Sequence, residues 1–236
     1  MAQNQRKKKQ KKAGASSARD NGNLKVILYI VLVVVGIAGA VALGTSGGSS
    51  ETSTDTVVTV PGGVRPAEYQ KVSSTGGLLA PLPESGADTE TGKSVAVLKG
   101  YDLQGRPVTI DPAGEGKATM VVFLAHWCPH CNREIPVLNK WRESGEVPTG
   151  LRVVGITTGS KADQANWPPS KWMTAMKWPF EVMADSEAQE AAAAYGVAGY
   201  PFMAFVGANG KITARTSGEV PVEQLQIFAN AAVAAK

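Results

Sequence analysis

Residues 93–236 are predicted to fold as one α/β domain with a mixed sheet, set behind a basic tail, an apolar span and a tether. Three observations predict it. Thr119–Ala125 (TMVVFLA) is a continuous apolar run, as expected of a strand buried on both faces, and Leu151–Thr157 (LRVVGIT) reads as a second buried strand. Segments of helical period follow each of them. Near the end, Phe202–Val206 and Lys211–Thr216 flank Asn209-Gly210, a strong signal for an antiparallel hairpin.

Of the 236 residues 43% are hydrophobic and 19% charged, which excludes wholesale disorder. Two cysteines exclude a multi-disulfide scaffold. The net charge of +4 is unevenly spread: residues 1–25 hold eight Lys/Arg against Asp20 alone, and the rest of the chain is faintly acidic. From Val26 to Leu43 there is no charged residue, so residues 26–44 approach the length of a bilayer's hydrocarbon core. All flanking positive charge precedes the span, which places the tail in the cytoplasm and everything after about residue 45 outside. Ala38-Gly39-Ala40 and Ala40-Val41-Ala42 also fit cleavage of a signal peptide, and either reading exports the downstream domain. The tail is read as a topology determinant on anionic lipid rather than a nucleic-acid arm.

Residues 45–92 contain 27 Gly, Ser, Thr or Pro in 48 positions, a composition expected of a flexible tether, with one short strand candidate at Thr56–Val60. Beyond it, Val95–Tyr101 and Arg106–Ile110 flank a Gln104-Gly105 turn as a hairpin. After the strand Thr119–Ala125, a helix is expected over Cys128–Glu143, with Pro136 disturbing it. Ser170–Lys177 and Ser186–Tyr195 read as helices, and Val222–Ala235 closes the chain as another.

Both cysteines and both histidines fall in His126-Trp127-Cys128-Pro129-His130-Cys131, where a buried strand hands over to a helix. A cysteine at a helix N-terminus meets unpaired backbone N–H groups and the positive end of the helix dipole, which favour its thiolate. Spacing of i, i+3 brings the second sulfur to the same side of the first turn. Cys128 is the expected nucleophile, Cys131 the resolving thiol, and His130 a further source of positive charge. A purely structural disulfide gains little from so short a loop. A zinc site lacks a second ligand pair, and a copper site lacks a distant His. No metal is therefore assigned.

Trp127-Cys128-Pro129-His130-Cys131 resembles the active-site motif of the thioredoxin superfamily, and Glu134-Ile135-Pro136 extends it to the W-C-x-x-C-x-x-E-x-P pattern of membrane-anchored TlpA-like proteins. Asp185 after a strand, Tyr195-Gly196-Val197, Gly199-Tyr200-Pro201 and Asn209-Gly210-Lys211-Ile212 continue the resemblance over residues 93–236. It implies a thioredoxin fold, a central mixed sheet flanked by helices. It also implies a redox-active Cys128–Cys131 disulfide, Pro201 as a cis-proline facing it, and Trp127, Pro129 and Tyr200 beside it in the substrate groove. Glu134 resembles the acid that shuttles protons or tunes the pair, with a solvated helix carboxylate as the alternative. Two departures stand out. Many thioredoxins carry a buried acid six residues before the first cysteine, where this chain has Val122, and the Pro129-His130 dipeptide is that of DsbA-type oxidases. Trp167-Pro168-Pro169 and Trp172 lie in a short insertion, expected to pack the surface helix rather than rim the groove.

The resemblance implies a membrane-tethered, extracytoplasmic thiol–disulfide oxidoreductase without organic cofactor, TlpA-like in direction. Its partners would be cysteine-containing exported proteins and a membrane electron donor or acceptor. A DsbA-like oxidising direction and a non-redox peptide-binding module are the alternatives. Peroxide reduction fits poorly, because its attacking cysteine usually lacks the C-x-x-C context.

Overall fold

The computed structural model describes residues 68–236 and, as backbone, 59–60 and 63–64. The basic tail 1–25 and the expected span 26–44 lie outside the described residues. Among the described residues no helix is long and apolar enough to cross a membrane. Strand β1 (Thr59–Val60) pairs antiparallel with β2 (Gly63–Val64), so only the end of the strand candidate Thr56–Val60 can be placed.

The main sheet is mixed and follows the order β10-β9-β6-β7-β8-β4-β3, with β5 paired to β4. At its centre, β6 (Thr119–Leu124) runs parallel to β7 (Arg152–Thr157), and β7 parallel to β8 (Glu181–Ala184). On the other flank β6 pairs antiparallel with β9 (Phe202–Val206), which forms the expected hairpin with β10 (Ile212–Ser217). The strands β3 (Ser73–Thr75), β4 (Val97–Tyr101) and β5 (Pro107–Ile110) form the opposite edge, where β4 meets β8 only through Tyr101 and Ala184.

Every residue of β6 is buried, as its unbroken apolar run requires. Its side chains alternate between two cores. Met120, Val122 and Leu124 pack with Ile135, Leu138 and Trp141 of α2 (Pro129–Glu143) and with Leu225 and Ala229 of α5 (Val222–Ala234). Val121 and Phe123 turn to the other face, against Tyr195 and Phe202. Helix α2 is continuous through Pro136.

Four elements depart from expectation. Strand β8 lies between segments read as consecutive helices; at four residues its pattern is too short to announce itself, although the resemblance had put a strand before Asp185. Short helix α1 (Pro112–Glu115) forms because Pro112 presets its first turn and the Asp111 carboxylate accepts from Gly114 N–H at 2.8 Å. Helix α4 spans only Glu190–Tyr195, and α3 Pro169–Ala175.

The largest difference concerns residues 68–92, expected as part of the tether. They pack on the domain through a few long-range anchors. Leu79 N–H donates to Ala194 O, Leu82 N–H to Gly196 O, and β3 adds an edge strand. Asp88 binds the Arg215 guanidinium at 2.6 and 2.8 Å, and Arg215, with no exposed side-chain surface, also donates to Ala80 O and Tyr195 O. Composition correctly shows that this segment has little apolar surface, but backbone anchors and one buried cation, Arg215, bonded to Ala80 and Asp88 of the segment and to Tyr195, hold it.

Candidate active site

The chain leaves β6 at Leu124, turns through Ala125–Trp127, and enters α2 with Cys128 as N-cap in extended geometry. Pro129 occupies the first helical position, where its missing N–H costs nothing. Cys128 has 5% of its surface exposed and Cys131, one turn on, has none. Both are free thiols, so the dithiol form of the expected pair is the one described. Cys128 Sγ donates to Tyr200 O at 3.5 Å, and the Tyr200–Pro201 peptide is cis. Trp127, Tyr200 and the cysteines thus converge where β6 ends and β9 begins, at one end of the central strands. The rings of Trp127 and Tyr200 meet edge to face at 6.0 Å, Trp127 Nε1 donates to Gly159 O, and Tyr200 Oη donates to Gln189 Oε1. Lys161 Nζ lies 5.2 Å from the Trp127 ring centroid.

Glu134 is buried, not a solvated helix carboxylate. Its Oε2 accepts from Val220 N–H at 3.2 Å, while Oε1 has no partner. Burial pushes its carboxyl up to about 7, against the pull of the Val220 N–H and with a further push from the charge of Glu219. Burial likewise drives the Cys131 thiol strongly upward, only partly opposed by a backbone hydrogen bond at Ala125; charges on Cys128 and Glu134 add to the rise. Cys131 therefore holds its proton until a base takes it. Glu134, titrating near neutrality and electrostatically coupled to Cys131, is suited to that exchange. Val122, at the position of the usual thioredoxin acid, is fully buried and apolar.

His130 is exposed, and its ring is turned to a residue that no motif announced: Nδ1 donates to Glu219 Oε1 at 2.6 Å. Arg133, one turn further, donates to the same oxygen through Nε and Nη2. Arg133 was within reach of sequence reasoning as the i+3 neighbour of His130. Glu219 was not, lying 89 residues from His130 in a short turn after β10.

His126 is buried, with Nδ1 2.6 Å from Ala165 O and Nε2 accepting from Lys161 N–H. The carbonyl can only accept, so the proton sits on Nδ1. Asn132 Nδ2 donates to Cys128 O at 2.8 Å, and its Oδ1 accepts from Trp172 Nε1. These contacts lash the insertion 159–172 to the redox turn. Trp172 is buried in the core and Trp167 packs on His126 and Tyr69, the packing role expected of both. Asp185, also buried, is structural: it accepts from the N–H groups of Ser186, Ala191 and Ala192 and from Thr158 Oγ1. No group of three or more His, Cys, Asp or Glu among the described residues is arranged to hold a metal.

Fold and dithiol together define the class, a thioredoxin-superfamily domain homologous to thiol–disulfide oxidoreductases. The pattern of the AhpC/TSA family matches residues 91–215, more than half of the chain, and the chain belongs to that family. It is 30% identical over 112 residues to the thiol:disulfide interchange protein CycY of Rhizobium leguminosarum bv. viciae, a match covering 48% of this chain and 56% of that protein. It is 24% identical over 141 residues to the thiol-disulfide oxidoreductase ResA of Bacillus anthracis, covering 58% and 75%. The chain thus spans little more than half the length of CycY and three quarters of ResA. Among solved structures, a hypothetical protein from Sinorhizobium meliloti 1021 matches with a TM-score of 0.51 at 20% identity, over 60% of this chain and 83% of that one, a likeness of fold.

Proposed function

We propose that this chain is a membrane-tethered, extracytoplasmic thiol–disulfide oxidoreductase that reduces disulfides in exported proteins and is recharged by a membrane electron carrier. One observation supports it above the rest: a buried dithiol at a helix N-terminus, its first sulfur bonded to the carbonyl that precedes Pro201. In the reductive half-reaction the Cys128 thiolate attacks a substrate disulfide, forming the Cys128–substrate bond and releasing one substrate thiolate. Glu134 takes the Cys131 proton. The Cys131 thiolate then attacks Cys128 Sγ, forming the intramolecular disulfide and releasing the second substrate thiolate. Trp127, Pro129, Tyr200 and Pro201 border the substrate-binding edge. The electrons stay on sulfur, and no cofactor enters. Support for the reducing direction comes from Glu219, which engages the His130 ring of the DsbA-like dipeptide and keeps it from the sulfur.

The test is the reduction potential of the full chain, equilibrated with glutathione buffers. A value near −250 mV or below is expected for a reductant; one near or above about −150 mV marks a disulfide donor instead. Cys131→Ser is expected to trap mixed disulfides on a non-reducing gel and Cys128→Ser to form none. A pair that never cycles would leave the peptide-binding module as the reading.

A further inference from the structure

Glu219 Oε1 receives three donors, His130 Nδ1 at 2.6 Å, Arg133 Nη2 at 2.7 Å and Arg133 Nε at 3.0 Å. The two nitrogens His130 Nδ1 and Arg133 Nη2 lie 2.8 Å apart. Two N–H donors so close repel unless an anion sits between them, so this carboxylate is what holds the pair together. Both side chains belong to the first turns of α2, which Cys128 caps, and a charge on Cys128 is felt at Arg133. Glu219 in turn reaches the other side of the site: its neighbour Val220 holds Glu134, and its charge acts on the Glu134 carboxyl.

Building on the oxidoreductase reading, the geometry points to Glu219 as a positioning residue that keeps the Cys128–Cys131 pair reducing. It holds the Arg133 guanidinium and the His130 Nδ1–H on its own oxygen instead of leaving them to the Cys128 sulfur. The relevant equilibrium is protein disulfide plus two glutathione thiols giving protein dithiol plus glutathione disulfide, in which two electrons and two protons pass to the protein. Whatever stabilises an anionic Cys128 pulls this equilibrium toward the dithiol. A carboxylate that takes up the Arg133 charge and the His130 donor pushes it back. The charged groups facing Glu219 are His130 and Arg133 from α2, with buried Glu134 behind them.

Glu219→Gln keeps an acceptor oxygen of the same reach and removes the charge. In the full chain it is expected to raise the dithiol-to-disulfide ratio at a fixed glutathione poise at least threefold, about 14 mV less negative at 29.6 mV per decade. Glu219→Asp, which retains the charge, is expected to stay within twofold of the parent. Arg133→Gln, which deletes a cation instead, is expected to move the ratio the opposite way. A purely structural role would alter thermal melts of these variants and leave the potential alone. An unchanged ratio in Glu219→Gln, or a shift of the same sign in Glu219→Gln and Arg133→Gln, overturns the inference while the parent's cycling keeps the oxidoreductase reading intact. A parent that does not cycle defeats that reading itself.

Discussion

The backbone N–H of Val220 donates to one oxygen of Glu134 across 3.2 Å, and the other oxygen of that buried carboxyl has no partner. A carboxylate so placed is under-solvated, and a carboxylic acid is the form the site accommodates. The turn after β10 thereby touches the redox helix twice, through Val220 at Glu134 and through Glu219 at His130 and Arg133.

Glu134 binds its proton more tightly folded, at about 7, than in its ordinary range near 4.5. The stability this lends is fully present below pH 4.5 and is lost as pH rises through about 7. The loss accrues between pH 4.5 and about 7 and totals on the order of 3 kcal/mol. Glu134→Gln is expected to remove this pH dependence, melting above the parent at pH 8 and near it at pH 4.5. The same variant should slow release of mixed disulfides by Cys131. Thermal melts across pH and a quenched-flow gel assay check the two halves.

Asp88 is held below its ordinary 3.8, chiefly by its hydrogen bonds to Arg215. Its contribution is present above pH 3.8 and disappears as pH falls through the lowered value. Asp88→Asn leaves a buried guanidinium uncompensated and is expected to cost about 3 kcal/mol at pH 7 in urea melts. The variant's acid limb should be flatter than the parent's.

Asn132→Ala removes the acceptor of buried Trp172 Nε1 and the donor to Cys128 O. An indole N–H left unpaired costs about 1–3 kcal/mol. Faster proteolysis within residues 159–172, with a lowered denaturant midpoint, is the expected outcome.

Gly155, inside β7, admits the Trp178 ring against the sheet: a Cβ there would lie 2.7 Å from Trp178 Cζ2. Gly155→Ala is expected to destabilise by about 1–3 kcal/mol as the indole is forced aside. A shifted Trp fluorescence maximum and a lower urea midpoint would report it.

The cysteine pair, Glu134 and the strands beside them were legible because each is a local pattern: a six-residue motif, an i, i+3 spacing, an unbroken apolar run. Burial of Glu134 was not, since the cover comes from Val220, 86 residues away. Glu219 carries no local signal at all; its meaning arises only when the β10–α5 turn folds over α2. Residues 68–92 looked like a tether because their anchors are single long-range contacts, Asp88 to Arg215 at a separation of 127 and Glu68 to Ser170 at 102. Strand β8 was hidden by its brevity, its place in the sheet being settled by pairing with β7.

The wholly buried strand β6 ends at the redox turn and is hydrogen-bonded to neighbours on both sides. Such a strand exchanges its amide hydrogens only when much of the domain opens. Thiol chemistry at its tip consequently finds a rigid anvil on one side and, on the other, turns held by side-chain contacts rather than by a ladder. The isotopic record of a redox cycle should be written in the turns around 125–127, 159–167 and 218–220, while the amides of β6 read the same in both oxidation states.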